Sequence, residues 1–347
     1  MSIKIADREI GEGSPVFIIA ELSANHLQDY NIAVETIKAI KESGADAVKL
    51  QTYTPDTITL NSNKYFFKIK HGPWKGLTLY ELYEKAFMPW EWIPDLKKLS
   101  EDLDLICFSS PFDKTAVDFL KDLNMPAYKI ASFEITDIPL IEYVAAKNKP
   151  VIISTGIAKL SDIEEAVNAC KKIGNNQIAL LKCTSSYPAP LEGSNLKTIS
   201  NMRNTFKTVV GLSDHTIGST ATIIAVAMGA KIIEKHFILD KRIGGPDSSF
   251  SMEPDEFKKM VCSIREAEKA IGKVDYSLSE DAIKNRDFRR SLFIVEDINA
   301  GEIFTENNIK SIRPGFGLPP KYLKKIIGKK AKGNIKKGMA LSWFMIK

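Results

Sequence analysis

The feature that most constrains this 347-residue chain is a repeat of form rather than of sequence. Eight short runs rich in β-branched residues (VFIIAEL, AVKLQT, LICFSSP, AYKIAS, PVIIST, IALLKCT, TVVGLSD and KIIEKHF) are each followed by a helical pattern. In those intervening segments, such as NIAVETIKAIKESG and SDIEEAVNACKKIG, apolar residues recur at three- and four-residue spacing. That spacing gives each helix one face to pack on a sheet, and such alternation builds parallel βα units. Eight units predict a (β/α)8 barrel of the α/β class. Counting alone leaves an open doubly wound sheet as the alternative. However, no GxGxxG follows the first run, which weakens a dinucleotide-binding version of that fold. After Tyr276 the pattern breaks into short strand-like runs interrupted by Gly and Pro. The expected organisation is a barrel over residues 1–275, a linker over 276–288 and a small, mostly β domain over 289–347.

Composition closes off several classes. Apolar residues make up 44% and charged residues 26%, as in an ordinary globular chain. MSIKIADREI alternates charge with apolar residues and does not read as a signal peptide. No uninterrupted apolar stretch approaches the roughly 20 residues needed to span a bilayer. Cys107, Cys170, Cys183 and Cys262 are far apart with no CxxC, against both a disulfide scaffold and a zinc cluster. The expectation is a cytoplasmic protein with reduced thiols and no membrane partner. From Asp281 onward, basic residues outnumber acidic ones by more than two to one, whereas residues 1–280 carry a slight acid excess. The tail lysines of GKKAKGNIKKG lack aromatic interleaving, so a solvated face or an acidic protein surface is expected rather than nucleic acid.

In a closed β/α barrel the chemistry sits at the carboxyl ends of the strands. Two of the four histidines, His215 and His236, close consecutive runs there, and neutral imidazole is the commonest metal ligand. The other strand ends offer Glu21, Lys49 with Gln51, Ser109 with Ser110, and Lys129 with Ser132 and Glu134. Ser154 with Thr155, Thr184 with Ser185, Ser213 with Asp214, and Glu234 follow. Alternation gives Lys49 and Gln51 a shared face of their strand, and likewise Glu234 and His236. An inward lysine is costly unless an anion or a carboxylate meets it, so either a bound polyanion or a buried ion pair is implied. A lysine about 4 Å from a phosphate oxygen gains on the order of 4 kcal/mol at an effective dielectric near 20. Two lysines, several hydroxyls and two metal ligands together point to a phosphorylated anion with an oxygen that a metal binds.

Other residues are more ambiguous. Asn25-His26 reads as a helix cap with a structural histidine, or as part of the site. His71 is expected in solvent. Lys182 faces either the barrel or the helices, and Tyr187-Pro188 reads as a turn that lets Tyr187 reach the mouth. The long, aromatic-rich connection after the second run reads as a lid, a substrate wall or a passive insertion.

IIAELSANH, GADAVKLQTYTPDT, YKIASFEITD, VIISTG, CTSSYPAP, GLSDHT, EKHF, GGPDSSFSMEP and IRPGFGLPP, in that order, resemble the nonulosonic (sialic-type) acid synthases over almost the whole chain. That resemblance implies a (β/α)8 barrel followed by an antifreeze-like (SAF) domain. It implies condensation of phosphoenolpyruvate with an amino-sugar aldehyde, dependent on a divalent cation such as Mn2+ or Mg2+. By matching motif, His215 and His236 would hold the metal. Lys49, Lys129, Ser132, Ser154, Ser185 and Ser213 would hold phosphoenolpyruvate, and Gln51, Glu134, Tyr187 and Asp247 the sugar. Lys49, Glu21 and Glu134 are the expected catalytic groups, with the two carboxylates handling protons and the developing positive charge. Arg313 would reach the barrel of the other protomer in a domain-swapped homodimer.

ELSANH, KLQTYTPDT and ASFE resemble the pseudaminic acid branch of the family and imply a 2,4-diacetamido-2,4,6-trideoxy-altrose acceptor. Sialate and legionaminate synthases, with mannose-type acceptors, usually read closer to EIGxNH, VKFQ and GSGE. Ser185 in place of an asparagine and Lys182 in place of a histidine depart from the sialate pattern. A class I aldolase using Lys129 or Lys182 as Schiff base, and a non-catalytic carbohydrate-binding protein, are the competing readings.

Overall fold

The computed structural model describes residues 1–72 and 74–347. Two compact units divide the chain, Met1–Gly272 and Lys273–Lys347.

The first unit opens with an antiparallel hairpin, β1 (Ser2–Ile5) and β2 (Arg8–Gly11). Eight parallel strands then close into a barrel: β3 (Phe17–Glu21), β4 (Ala47–Thr52), β5 (Ile106–Pro111), β6 (Tyr128–Ile130), β7 (Val151–Ser154), β8 (Ile178–Cys183), β9 (Val209–Asp214) and β10 (Ile232–His236). Each lies within one of the eight β-branched runs, and the closed barrel replaces the open-sheet alternative. The connecting helices are α1 (Tyr30–Glu42), α2 (Leu79–Ala86), α3 (Ile93–Asp102), α4 (Lys114–Asp122), α5 (Ile138–Ala145), α6 (Leu160–Lys172), α7 (Lys197–Phe206), α8 (Thr220–Ala227) and α9 (Pro254–Ile271). Their buried faces meet the outward side chains of the strands in one continuous core that includes Ile18, Val48, Ile153, Leu180, Val210 and Ile233.

Alternation sorts the inward side chains into levels. Phe17, Ile19, Ala47, Phe108, Ile152, Ala179, Leu181, Val209 and Ile232 fill the lower barrel. Ile3, Ile5 and Ile10 of the β1–β2 hairpin join that cluster and plug the bottom. The hairpin was not foreseen from the sequence, because MSIKIADREIG carries too few apolar residues to register as two strands. Gly211 allows the interior to close. A Cβ there would stand 2.3 Å from the Ile232 carbonyl oxygen and 2.6 Å from Leu181.

The second unit pairs β11 (Ser291–Ile294) with β12 (Ile309–Ile312) antiparallel around Leu292, Ile294, Ile298, Phe304, Ile309 and Ile335. Among the described residues, no helix is long and apolar enough to cross a membrane.

Gly211→Ala should cost about 1–3 kcal/mol, the usual range for overpacking a filled interior. Urea unfolding at fixed pH checks this. An unchanged midpoint would mean that β9 and β10 can separate without loss.

Candidate active site

At the carboxyl ends of the barrel strands, a cleft opens whose empty space, counted out into solvent, is about 940 Å³. Its floor is charged. Lys49 Nζ lies 2.7 Å from Glu21 Oε2 and 3.6 Å from Glu234 Oε1, and Lys129 Nζ lies 3.8 Å from the same Glu234 oxygen. Ser213 Oγ donates to Glu234 Oε1 at 3.0 Å, and Lys49 Nζ donates to Ser110 Oγ at 3.3 Å. All four charged groups are buried. The ion-pair reading of the inward lysines is therefore correct for the unliganded floor. Glu234 is its hub, a role its strand-end position alone did not reveal.

Environment drives the two floor carboxyls apart. Burial pushes Glu21 up from 4.5 to about 7 despite Lys49, and Glu234 adds to the rise. Burial also raises Glu234, but Lys129, Lys49 and Ser213 together outweigh it and hold that carboxyl low. Burial opposes the charge on Lys49, yet the two carboxylates facing it prevail and raise it. Lys129, with one carboxylate partner beside it, is lowered by burial. Glu234 is thus the ionised partner and Glu21 the group poised near neutrality.

The sugar-side candidates form a second layer. Gln51 donates to Glu21 Oε1 and to Ser23 Oγ, both at 2.9 Å, and Ser23 Oγ donates to Asp247 Oδ2 at 2.5 Å. Glu134 sits on a 3-10 turn, Ser132–Glu134, with Oε2 buried and unpartnered. Burial raises it to about 7 against the pull of Lys129. Ser154 Oγ and Glu234 Oε2 are likewise buried without a hydrogen-bond partner. Such orphaned atoms converging on one cleft are what a ligand site looks like when empty of protein partners.

His215 and His236 stand with ring centroids 5.3 Å apart. His215 Nδ1 lies 3.0 Å from the Thr184 carbonyl oxygen, so donation there leaves Nε2 free as a ligand atom. Burial, reinforced by His215 and the lysines, holds His236 well below its usual range and therefore neutral. His236 Nδ1 has no hydrogen-bond partner and lies 3.7 Å from Asp247 Oδ2. Among the described residues no three metal-ligating side chains converge. Two nitrogen donors beside an open cleft fit a cation that takes its remaining ligands from bound molecules.

Other expected residues are placed less centrally. Tyr187 lines the cleft, its ring centroid 4.5 Å from that of His215. Ser185 Oγ is buried against Gly156, where an added Cβ would meet it at 2.1 Å, and Ser185 is not among the residues lining the cleft. Ser132 lines the cleft and accepts from Gly156 N at 3.1 Å. Arg313 is exposed in the second unit. Lys182 points away from the cleft and donates to the Cys183 carbonyl at 2.6 Å, which removes it as a Schiff-base candidate. Asn25 braces the loop through the Phe237 carbonyl and Ser251 Oγ, and His26 packs edge-on against Trp92 at 5.7 Å. Both are therefore structural, and the following helix is capped by Asp29 instead.

Sequence reading missed two groups. Cys183 lines the cleft with Sγ 3.8 Å from His215 Nδ1. Burial raises its thiol, but His215, Ser132 and Lys129 bring it down to about 7. Its inward place follows from alternation with Lys182. The second is an apolar wall of Ile58, Leu82, Ala86 and Phe112, edged by Tyr53 and Tyr83. Tyr53 meets Tyr83 and Phe112 edge-on at 5.5 and 5.1 Å. Most of this wall comes from the long connection after β4, which Trp74 ties across the mouth through the Pro246 carbonyl at 2.9 Å. The connection is a cleft wall rather than a passive insertion.

Residues 36–276 match the NeuB family and residues 289–347 the SAF domain. The chain belongs to the NeuB family. It is 50% identical to pseudaminic acid synthase from Campylobacter jejuni over 94% of this chain and 95% of that one. Identity to N,N'-diacetyllegionaminic acid synthase from Legionella pneumophila is 36%, over 96% of this chain and 95% of the other. Among solved structures, spore coat polysaccharide biosynthesis protein SpsE from Bacillus subtilis aligns with a TM-score of 0.69 at 36% identity, covering 100% of this chain and 99% of that one.

Glu21 and Glu134 keep their protons in the native protein to higher pH than in the unfolded chain. Their contribution to stability is greatest below 4.5 and is lost as pH rises to about 7. Glu134→Gln removes one of the two groups. Its urea midpoint should therefore fall less than that of the parent between about pH 5 and about pH 7.5. An equal fall would show that Glu134 does not titrate in that window.

Proposed function

We propose that this chain is a pseudaminic acid synthase, joining phosphoenolpyruvate to 2,4-diacetamido-2,4,6-trideoxy-L-altrose with release of phosphate. The observation that carries the reading is the two-sided cleft. Cationic and hydroxyl groups beside two imidazoles form one side, and an apolar wall forms the other. The charged side suits phosphoenolpyruvate: Lys49 and Lys129 take its carboxylate and phosphate, with Ser132, Ser154 and Ser213 as neutral donors. Ser185 Oγ shares with Ser132 Oγ the space that a Cβ on Gly156 would take. The apolar wall suits a sugar that carries a methyl in place of a 6-hydroxyl, together with acetamido methyls. Gln51, Tyr187 and Asp247 hold its polar edge. The wall does not separate altrose- from mannose-type stereochemistry. The 50% identity to a pseudaminic acid synthase, against 36% to a legionaminic acid synthase, favours the former.

A divalent cation, Mn2+ or Mg2+, held by His215 and His236 would supply Lewis acidity toward the acceptor aldehyde. Carbon 3 of phosphoenolpyruvate attacks that aldehyde carbon, forming the C–C bond while positive charge grows at carbon 2. Glu21, on the floor beside Lys49, faces that charge. Water adds to carbon 2 and gives up a proton. Glu134, with a free oxygen and a pKa of about 7, is matched to receive it. The proton received from water is returned to the new alkoxide, and the tetrahedral intermediate collapses: the carbon 2 hydroxyl becomes a carbonyl as its C–O bond to phosphate breaks, and its proton leaves with the phosphate. Lys129 lies 3.8 Å from Glu234 and is lowered by burial. That lowering keeps a Schiff-base aldolase as the second reading, and borohydride trapping with pyruvate tests it.

Phosphate release with the altrose-type acceptor should exceed that with mannose-type and 6-hydroxylated acceptors. Leu82→Asn should raise the KM of the 6-deoxy sugar about tenfold, the usual worth of one lost apolar contact, and leave that of phosphoenolpyruvate unchanged. A preference for N-acetylmannosamine would overturn the acceptor assignment. His236→Ala should keep the fold and lose on the order of 10³-fold in kcat, equivalent to about 4 kcal/mol of charge stabilisation. Undiminished turnover in that variant, or after exhaustive chelation, would remove the metal.

A further inference from the structure

Lys235 and Asp214 stand directly opposite one another in the register of β10 and β9. Each immediately precedes a histidine of the cleft. Glu234 and His236 line the cleft, so alternation turns Lys235 outward into the layer between barrel and helices. Its side chain is 0% exposed and that of Asp214 2%. Lys235 Nζ donates to Asp214 Oδ2 and to the Thr216 carbonyl oxygen, both at 2.6 Å. One ammonium group, bonded to the residue before His236, thereby grips the residues on both sides of His215. Asp214 closes the turn from the other direction, accepting from Thr216 N at 2.9 Å and Thr216 Oγ1 at 3.2 Å.

Stability alone does not account for this pair. Burying two charges is expensive, and well-packed apolar residues of similar volume often do as well or better. Apolar packing, however, does not fix direction to a few tenths of an ångström, which is the tolerance of a metal–nitrogen bond. We infer that Lys235 and Asp214 are positioning residues that set the separation of the His215 and His236 imidazoles for a shared divalent cation. The inference rests on the metal reading above, and neither residue touches substrate or metal.

Mn2+ binding to the full-length protein, read by electron paramagnetic resonance of the free ion, tests it. The parent should bind Mn2+. Lys235→Met should raise the dissociation constant at least about tenfold, the usual effect of removing a group that orients a metal ligand. Its circular dichroism should be unchanged, and kcat should recover at saturating Mn2+. Asp214→Asn should weaken binding by a similar factor, and Thr216→Val, the mildest change, by about threefold. Ile233→Ala, on the same outer face of β10, should lose stability yet bind Mn2+ like the parent. Binding within twofold of the parent in whichever of the three clamp variants folds overturns the inference. So does an equal loss in Ile233→Ala. A parent that binds no Mn2+ would instead overturn the metal reading itself.

Discussion

Lys49, Lys129, Glu21 and Glu234 are buried at one level of the barrel, and none of them is affordable there alone. Glu234 faces both ammonium groups and stays ionised, so the fourth and weaker charge in the balance is Glu21. Near neutral pH, Glu21 is close to half protonated, which leaves the floor with a small positive surplus. Negative charge brought beside the same lysines would return that balance toward neutrality.

That arrangement stands on an apolar interior. The lower levels are apolar, and the β1–β2 hairpin seals the end opposite the cleft with Ile3, Ile5 and Ile10. Sealing the bottom matters electrostatically. Water entering from below would solvate the ammonium groups and weaken the field that burial concentrates on the cleft. The absence of a side chain at Gly211 serves the same end, since it lets β9 and β10 close where a Cβ would force them apart. Those two strands carry Ser213, Glu234 and His236 on their inward face, so their spacing is felt directly in the site.

How far the sequence alone reveals this depends on whether a residue's role is local or relational. The eight strands were legible because each is a short apolar run between amphipathic helices, and both periodicities are written locally. Lys49, Lys129, Ser154, Ser213, His215 and His236 followed from them, because the carboxyl end of a barrel strand is defined by its own run. Relational facts were not legible. That Glu234 accepts two lysines depends on β4, β6 and β10 meeting across the barrel. That Ile58, Leu82, Ala86 and Phe112 form one wall depends on a connection doubling back over the mouth. Cys183 and Lys182 illustrate the boundary. Strict alternation from Leu181, inside the barrel, would have turned Cys183 in and Lys182 out. A charged residue in an apolar run draws attention more readily than a thiol does.

The same boundary explains why three consecutive residues of β10 have three different environments. Glu234 points to the lysines, Lys235 to Asp214 behind the sheet, and His236 to the cleft beside Asp247. Slipping the strand by one residue would exchange all of them, placing an ammonium where a carboxylate is needed and burying both Glu234 and His236 among helices. Apolar neighbours cannot veto that slip, because Ile232 and Ile233 are buried on either face with equal ease. Lys235 favours the observed register, in which it stands opposite Asp214 and donates to it. A buried ion pair of doubtful value to stability thus also adds a preference for the register that turns Glu234 and His236 inward, the same register its positioning of the two imidazoles requires.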